Sequence, residues 1–289
     1  MAKQRTSHPR RRRRRLVLLF LLLAILAGEL WWSNCTLSVE SFTYVSSRLP
    51  AGFDGFRIVQ LSDLHEAEFG EGNETLLSQV AAQQPDLIAV TGDLVDRFKG
   101  PDPQYVDTLC RGLTAIAPTY FVTGNHEWAV GDVPELKAQL EELGVTVLSN
   151  DFVTLERNGD AIVLAGIDDP NGYADQKTPE ELAAEVKEAW GDGFWLLLAH
   201  RNDHFATQYS RLGADLVLSG HGHGGVIRLP FTDGLLSTDR TFFPSYTAGF
   251  YQVDGADLFV SRGLGNSGPL LRVFNRPQVV VLTLQRGNS

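Results

Sequence analysis

Five short runs of metal-ligand residues lie in order along the chain: Asp63-Leu-His65, Gly92-Asp93, Gly124-Asn125-His126-Glu127, Ala199-His200 and Gly220-His221-Gly-His223. Carboxylate and amide oxygens mixed with imidazole nitrogens are the donors of a two-metal hydrolytic centre, in which dications about 3.5 to 4 Å apart lower the pKa of water and clamp phosphoryl oxygens. Taken singly, each run has an ordinary explanation. Asp-Leu-His and Gly-Asp are common turns, and a lone His200 after an apolar run is more often a polar cap. The shared context carries the weight, because each run follows an apolar stretch that reads as a buried strand, at residues 57–61, 87–91, 119–123, 194–198 and 214–218. Strands that end in ligands converge on one rim of a sheet. Strand alternation would put His221 and His223 on one side, with the glycines of this run letting backbone approach the metals.

The elements that must position these residues follow from local patterns. Residues 36–44 alternate polar and apolar side chains as a first edge strand does, and the turn-rich 49–55 leads into the strand before Asp63. Helical spacing at 74–82 and 103–113 sets the pace of right-handed crossover units. A helix at 133–143 closes on Gly144 before a strand at 145–148, and 179–190 is a helix rich in Glu and Ala. Strands at 152–156 and 161–166 flank Asn158-Gly159, a hairpin turn. Late in the chain 247–253, 257–261, 271–274 and 278–284 read as strands. Crossovers first and antiparallel strands later predict an α/β sandwich of two mixed sheets with outer helices. The aromatics Phe242, Phe243, Tyr246, Phe250 and Tyr251 read by default as core, with a wall near lipid as the alternative.

Charge is unevenly placed. Lys3, Arg5 and Arg10 to Arg15 put 8 of the 25 basic residues before position 16, and the remainder carries 17 basic against 35 acidic residues, a net charge of −18. So acidic a body argues against a nucleic-acid partner, since neutralising a phosphate backbone needs a basic surface. The arginines run into the apolar stretch 16–27, which ends at Gly28-Glu29-Leu30-Trp31-Trp32. Basic flank, apolar centre and aromatic edge mark a segment inserted with its N-terminus in the cytoplasm. The division expected is a basic cytoplasmic 1–15, a transmembrane signal anchor at 16–32 and one catalytic domain at 33–289 lying outside the cytoplasm. A cleaved signal peptide is the close competitor, but the bulky residues after Ala27 favour retention. Cys35 and Cys110 have neither metal-site nor disulfide-framework spacing.

The order and spacing of the five runs resembles the calcineurin-like metallophosphoesterase superfamily, over roughly residues 55–275. Its pattern is D-x-H, G-D, G-N-H-[D/E], a lone His and G-H-x-H. The stretches 220–230 and 261–273 further resemble the membrane-anchored bacterial YkuE/YaeI-like branch. The resemblance implies that Asp93 bridges two divalent ions, that Asp63, His65 and His223 complete one site, and that Asn125, His200 and His221 complete the other. It implies a non-ligand role for His126 at the leaving oxygen. Asp96 would orient that histidine and Arg97 would grip phosphate, a version of the second run resembling the serine/threonine protein phosphatases. The run Arg201-Asn-Asp departs from the more usual Asn-Pro-Asp, and His204 is a rival to His200. Asp168-Asp169 and the pair Arg262 and Asn266 are open between cleft and turn roles. Mixed imidazole, carboxylate and amide donors suit Mn, Fe or Zn, with Mg less comfortable.

The function expected is a dinuclear metal-dependent phosphoesterase, a phosphodiesterase or pyrophosphatase acting on a membrane or cell-envelope phosphate ester through metal-activated hydroxide, without a covalent enzyme intermediate. A lipid-linked substrate, a membrane contact through the N-terminal segment and a monomeric chain belong to this reading. A phosphomonoesterase or protein phosphatase is the second reading, and a metal-stabilised phosphate-binding protein without turnover the third.

Overall fold

The structure is a computed structural model that describes residues 9–174, 176–229, 231–238, 240–268 and 271–288; Lys3 and Arg5 lie outside them. The first half of the chain runs α1 (Pro9–Cys35), β1 (Ser38–Ser46), β2 (Arg57–Leu61), α2 (Glu74–Ala82), β3 (Leu87–Thr91), α3 (Pro103–Ile116), β4 (Thr119–Val122), α4 (Asn125–Val130), α5 (Val133–Glu142) and β5 (Thr146–Val147). The second half runs β6 (Asp151–Arg157), β7 (Asp160–Ile167), α6 (Pro179–Trp190), β8 (Trp195–Arg201), β9 (Leu216–Gly220), β10 (Gly249–Val253), β11 (Ala256–Val260) and β12 (Gln278–Arg286).

Two six-stranded sheets result, ordered β1-β12-β2-β3-β4-β5 and β10-β11-β9-β8-β7-β6. Strands β2 to β5 are parallel, and so are β7, β8, β9 and β11. The antiparallel partners are β12 beside β2 in one sheet and β6 and β10 at the edges of the other. This is the expected sandwich of mixed sheets flanked by helices. Side-chain alternation sorts each strand between two layers. Ile58, Leu87, Ala89, Leu196, Leu198, Leu216 and Leu218 fill the layer between the sheets. Val59, Ile88 and Val90 pack outward under α2 and α3, and Leu197 and Val217 under α6. The same parity decides where the chemistry goes, because His200 is in phase with Leu196 and Leu198 and so emerges on the inter-sheet side. One buried polar tie crosses the sandwich, where Gln60 Nε2 donates to Thr91 Oγ1 and to Ser219 O, both at 3.0 Å.

Local signals explain the helix ends. Asp102 caps α3 by accepting from the Gln104 and Tyr105 amides, and Thr178 and Glu181 form a capping box on α6. Four expectations need correction. Residues 271–274 form no strand; only an isolated bridge joins Ile227 to Val273, because this segment is engaged by α1 instead of a sheet edge. The helix at 103–113 runs on to Ile116, and β8 runs on through His200 to Arg201 with an irregularity after Leu198. Of the five late aromatics, Phe242, Phe243 and Phe250 are exposed, against the core reading.

The N-terminal helix contains, at Arg11–Cys35, a stretch long and apolar enough to cross a membrane. Residues 11–28 are exposed throughout, and contact with the body begins only at the last two turns. There Ser33 is fully buried, Asn34 Nδ2 donates to Arg272 O at 2.9 Å and Asn34 Oδ1 accepts from the Arg272 amide at 2.9 Å. Asn266 also donates to Asn34, and Arg262 pairs with Glu40, so both late polar residues serve the framework and not the cleft. Both cysteines are free, Cys110 buried in α3 and Cys35 exposed.

Candidate metal centre

Each ligand run sits where a parallel strand leaves its sheet: Asp63 and His65 after β2, Asp93 after β3, Asn125 and His126 opening α4 after β4, His200 at the end of β8, and His221 and His223 after β9. Carboxyl ends of parallel strands from two facing sheets therefore meet in one place. The chain must turn sharply there without losing the side-chain direction. Asp63, His65, Asp93, His221 and His223 all adopt left-handed backbone, with φ between 46° and 64°. Such conformations cost on the order of 1 kcal/mol each and persist only where surrounding structure imposes them. They also correct the expectation for His221 and His223. These imidazoles are not aligned by strand alternation; the turn sends them to different ligand groups.

Those groups are Asp63, His65 and His223 on one side and Asp93, His200 and His221 on the other, with His126 forming a third with His65 and Asp93, the donor atoms within each lying within 4.8 Å of one another. Asp93 joins the two: its Oδ2 is 3.6 Å from His65 Nε2 and 3.3 Å from His200 Nε2. His223 Nε2 lies 3.0 Å from His65 Nε2 and 3.4 Å from Asp63 Oδ1, and His221 Nδ1 lies 3.2 Å from His200 Nε2. Two nitrogen lone pairs facing each other at such distances suit a shared cation. Asn125 Oδ1 is buried with no hydrogen-bond partner, the state of a ligand oxygen waiting for a metal. The donor set therefore fits two divalent ions, with a carboxylate between them.

Electrostatics agree. Burial holds the His65 imidazole down at about 3 and drives His223 well below its ordinary value, so both are neutral and available as ligands at physiological pH. Burial likewise pushes the Asp63 carboxyl up to about 6. Burial works against the charge on Asp93 as well, but the neighbouring His200, His65 and His126 outweigh it and hold that carboxyl well below the usual range. His200 rises to about 10 because Asp93 overcomes the effect of burial. The opposite nitrogen, His200 Nδ1, is 2.8 Å from Thr91 O, which presents Nε2 to the centre.

Beside the ligands, His126 Nδ1 lies 3.3 Å from Asp96 Oδ1 and accepts from the Arg97 amide at 3.1 Å. Burial keeps this imidazole below its ordinary value. Its Nε2 meets Ser267 Oγ at 3.2 Å. The cavity at the centre measures about 410 Å³ and is lined by Asp93, Asn125, His126, His221 and His223 together with Arg97, Arg201 and Arg240. Arg97 is exposed at its edge and stacks on Phe98, 4.7 Å from the ring centroid. His204 stands away from the centre beside Tyr209.

Among known families, the calcineurin-like phosphoesterase family matches residues 56–225, the segment that holds all five ligand runs. The chain belongs to this family. It is accordingly a metal-dependent phosphoester hydrolase. It is 34% identical to the metallophosphoesterase YkuE of Bacillus subtilis over 85% of each chain. It is 30% identical to a zebrafish (Danio rerio) transmembrane protein with a metallophosphoesterase domain, over 83% of this chain and 55% of that one. Among solved structures the NAD nucleotidase of Haemophilus influenzae superposes with a TM-score of 0.50 at 17% identity, covering 71% of this chain and 50% of the other, a likeness of fold.

Glu127 and Arg272 carry no role in the sequence reading, which leaves Asp168-Asp169 open between cleft and turn. Glu127 is fully buried and accepts from the amides of Asp93, Gly124 and Val95 at 3.0, 2.6 and 3.1 Å. Its place as third residue of α4 after Gly124 was the available signal, since an acid there reaches back to the first amides. Asp169 is buried and receives Arg201 Nε at 2.8 Å, holding that guanidinium 3.4 Å from His221 Nε2. Asp168 binds Lys137 Nζ at 2.6 Å and Thr123 Oγ1 at 2.7 Å, so it braces the strand end and does not face substrate. Arg272, also fully buried, brings Nη2 within 3.2 Å of His223 Nδ1 and donates to Gly265 O and Arg262 O.

The glycines of the ligand runs are steric requirements. A Cβ on Gly220 would stand 1.8 Å from Ser62 Oγ and 2.4 Å from Asp63 Oδ2. Gly220→Ala is therefore expected to cost about 1–3 kcal/mol of stability by overpacking. It should also displace Asp63, which denaturant unfolding together with elemental analysis would detect as a lower midpoint and reduced metal content.

Proposed function

We propose that the chain is a membrane-anchored phosphodiesterase or pyrophosphatase whose catalytic body lies outside the cytoplasm and whose substrate is a lipid-linked or envelope phosphate ester. In this reading Asp63, His65, Asp93 and His223 would hold one divalent ion, and Asn125, His200 and His221, again with Asp93, would hold a second. The observation that carries it is Asp93 Oδ2, placed 3.6 Å and 3.3 Å from imidazoles of the two groups. The ions supply Lewis acidity, activating water and neutralising phosphoryl charge. His126, with Nε2 toward the cavity and Asp96 at Nδ1, holds a proton for the leaving oxygen. Arg97, Arg201 and Arg240 line the cavity beyond the ion sites. Three guanidiniums exceed what one terminal phosphate needs, which favours a pyrophosphate or a diester that carries a second anionic group.

Of the three, Arg201 is the best anchored, because buried Asp169 fixes it. Arg201→Ala is expected to lower kcat/KM by roughly 10- to 100-fold, the worth of one charge-assisted phosphate contact, while metal content stays unchanged. Steady-state kinetics beside elemental analysis check this.

The reading as a whole is tested on the full chain in detergent by metal analysis and by hydrolysis of bis(nitrophenyl) phosphate against nitrophenyl phosphate. Loading of Mn, Fe or Zn with a preference for the bis-ester is expected. A preference for the monoester would move the assignment to a phosphomonoesterase or protein phosphatase, the reading favoured by the Asp96–His126 contact at 3.3 Å.

A further inference from the structure

Exposed apolar side chains are unevenly spread over the body. Among the described residues outside α1, the large ones are Val45, Phe98, Tyr173 and Phe250, plus six in two segments: Leu229, Phe231, Phe242, Phe243, Leu271 and Phe274. The two segments form one ledge. The Arg228 amide donates to Val273 O at 2.9 Å and the Val273 amide to Val226 O at 3.2 Å, while the Leu235 and Phe243 amides tie the 227–243 loop onto itself. An apolar cluster of this kind on a water-soluble surface marks an interaction site.

The ledge ends at the N-terminal helix. The Phe274 amide donates to Glu29 Oε1 at 2.6 Å and the Asn275 amide to Ser33 Oγ at 3.3 Å. A bilayer that takes up the apolar residues 16–28 reaches its boundary beside Glu29, and Phe274 touches the helix at that level. Trp31 and Trp32 are exposed there too, with the Arg276 guanidinium 5.1 Å from the Trp32 ring, the pairing of an aromatic belt with a basic flank. At its other end the ledge reaches the cavity. Ser267, Thr238 and Arg240 line the cavity from the two segments, and Phe98, also in the lining, packs within about 3.2 Å of where a Cβ on Gly268 would lie. A short hydrogen-bonded route thus joins helix to metal centre: Asn34 grips the Arg272 backbone, and the Arg272 guanidinium meets His223.

We propose that this ledge rests in the bilayer leaflet adjoining the N-terminal helix, so that the cavity opens at the level of the lipid headgroups. The inference deepens the reading of the helix as a membrane anchor and of the substrate as lipid-linked, and rests on it. The occupant is lipid because the ledge meets the membrane helix where Phe274 bonds to Glu29, beside the exposed Trp31 and Trp32. Arg240, exposed on the same loop and lining the cavity, suits an anionic headgroup.

The test uses the full chain with Cys35→Ser, reconstituted in phosphatidylcholine bilayers with phosphatidylglycerol as the minor lipid. Spin labels are placed singly at Phe231→Cys, Phe243→Cys and, as a reference on β1, Val45→Cys. Labels at 231 and 243 are expected to be relaxed by oxygen and shielded from a water-soluble nickel chelate, with the reverse at 45. Equal nickel accessibility at all three positions overturns the proposal. So does shielding of 231 and 243 from both reagents, which would indicate a second copy of the chain or another protein on the ledge. In parallel, Phe231→Ser with Phe243→Ser should lower hydrolysis of phosphatidylglycerol in vesicles by about tenfold or more, as lost partitioning of two aromatic side chains would. The same variant should leave bis(nitrophenyl) phosphate turnover unchanged, and equal losses on both substrates count against the ledge. Labels that insert while wild type cleaves no lipid phosphate support the ledge and overturn the lipid-ester reading of the substrate.

Discussion

Asp93→Asn is expected to lower phosphoesterase activity on the order of a thousandfold or more and to reduce the metal content of the chain. The carboxylate has two jobs that the amide cannot share. Its Oδ2 faces imidazoles of both ligand groups, at 3.6 and 3.3 Å. Its Oδ1 accepts from the His126 amide at 2.8 Å and so sets the start of α4, where Asn125 and His126 sit. An Asn side chain offers one acceptor oxygen and one donor group, so it satisfies one of these positions and opposes the other. Loss of the central negative charge also removes the attraction that lets two cations approach within about 4 Å of each other. Metal analysis and single-turnover hydrolysis of bis(nitrophenyl) phosphate check the prediction. Chelation of the wild type should abolish activity and lower Tm, with both restored by Mn²⁺ or Zn²⁺ because binding to the folded state alone stabilises it. Retention of near-normal activity by Asp93→Asn would sink the dinuclear assignment.

Glu127→Ala is expected to destabilise the fold by about 3–5 kcal/mol, the range for leaving the partners of a buried charged group unmet. Three amide N–H groups, from Asp93, Val95 and Gly124, converge on this one carboxylate, which is fully buried. Removing it orphans all three inside the protein and frees the loop that presents Asp93. Burial pushes the Glu127 carboxyl up to about 7, with the Asp93 charge adding to the effect, while the amide donors oppose it. Glu127→Gln keeps the shape and one acceptor oxygen but turns its NH₂ toward a donor, so a smaller loss of about 1–3 kcal/mol is expected. Denaturant unfolding of both variants would show the order Ala below Gln below wild type. If both variants unfold at the wild-type midpoint, the amide clamp is not what holds the loop.

The candidate metal-site residues and the element classes were legible in the sequence because their causes are local. An apolar run of five residues followed by Asp, Asn or His needs no tertiary information to be read as a strand and its end. The helix at residues 179–190 carries its own cap in Thr178 and Glu181 and was found to the residue. The segment 271–274 was misread because its β-branched and aromatic residues satisfy a strand pattern, whereas its hydrogen bonds go to Asn34 and Glu29, about 240 positions away. Local propensity carries no term for such partners.

The family, the two mixed sheets and the set of ten candidate residues from Asp63 to His223 were thus determined by the sequence, through short-range patterns and their order. Only the tertiary structure decided how they are held. It sends His221 and His223 to different groups by left-handed turns, where strand alternation would have put them on one side. It buried Glu127 as the clamp behind Asp93, recruited Arg201 through Asp169, and brought the end of the N-terminal helix against the loop that touches His223. The physical reason is the same in each case: a charge's role depends on what faces it after folding. A carboxylate that meets amides is a brace, one that meets imidazoles is a ligand, and sequence spacing alone does not distinguish them.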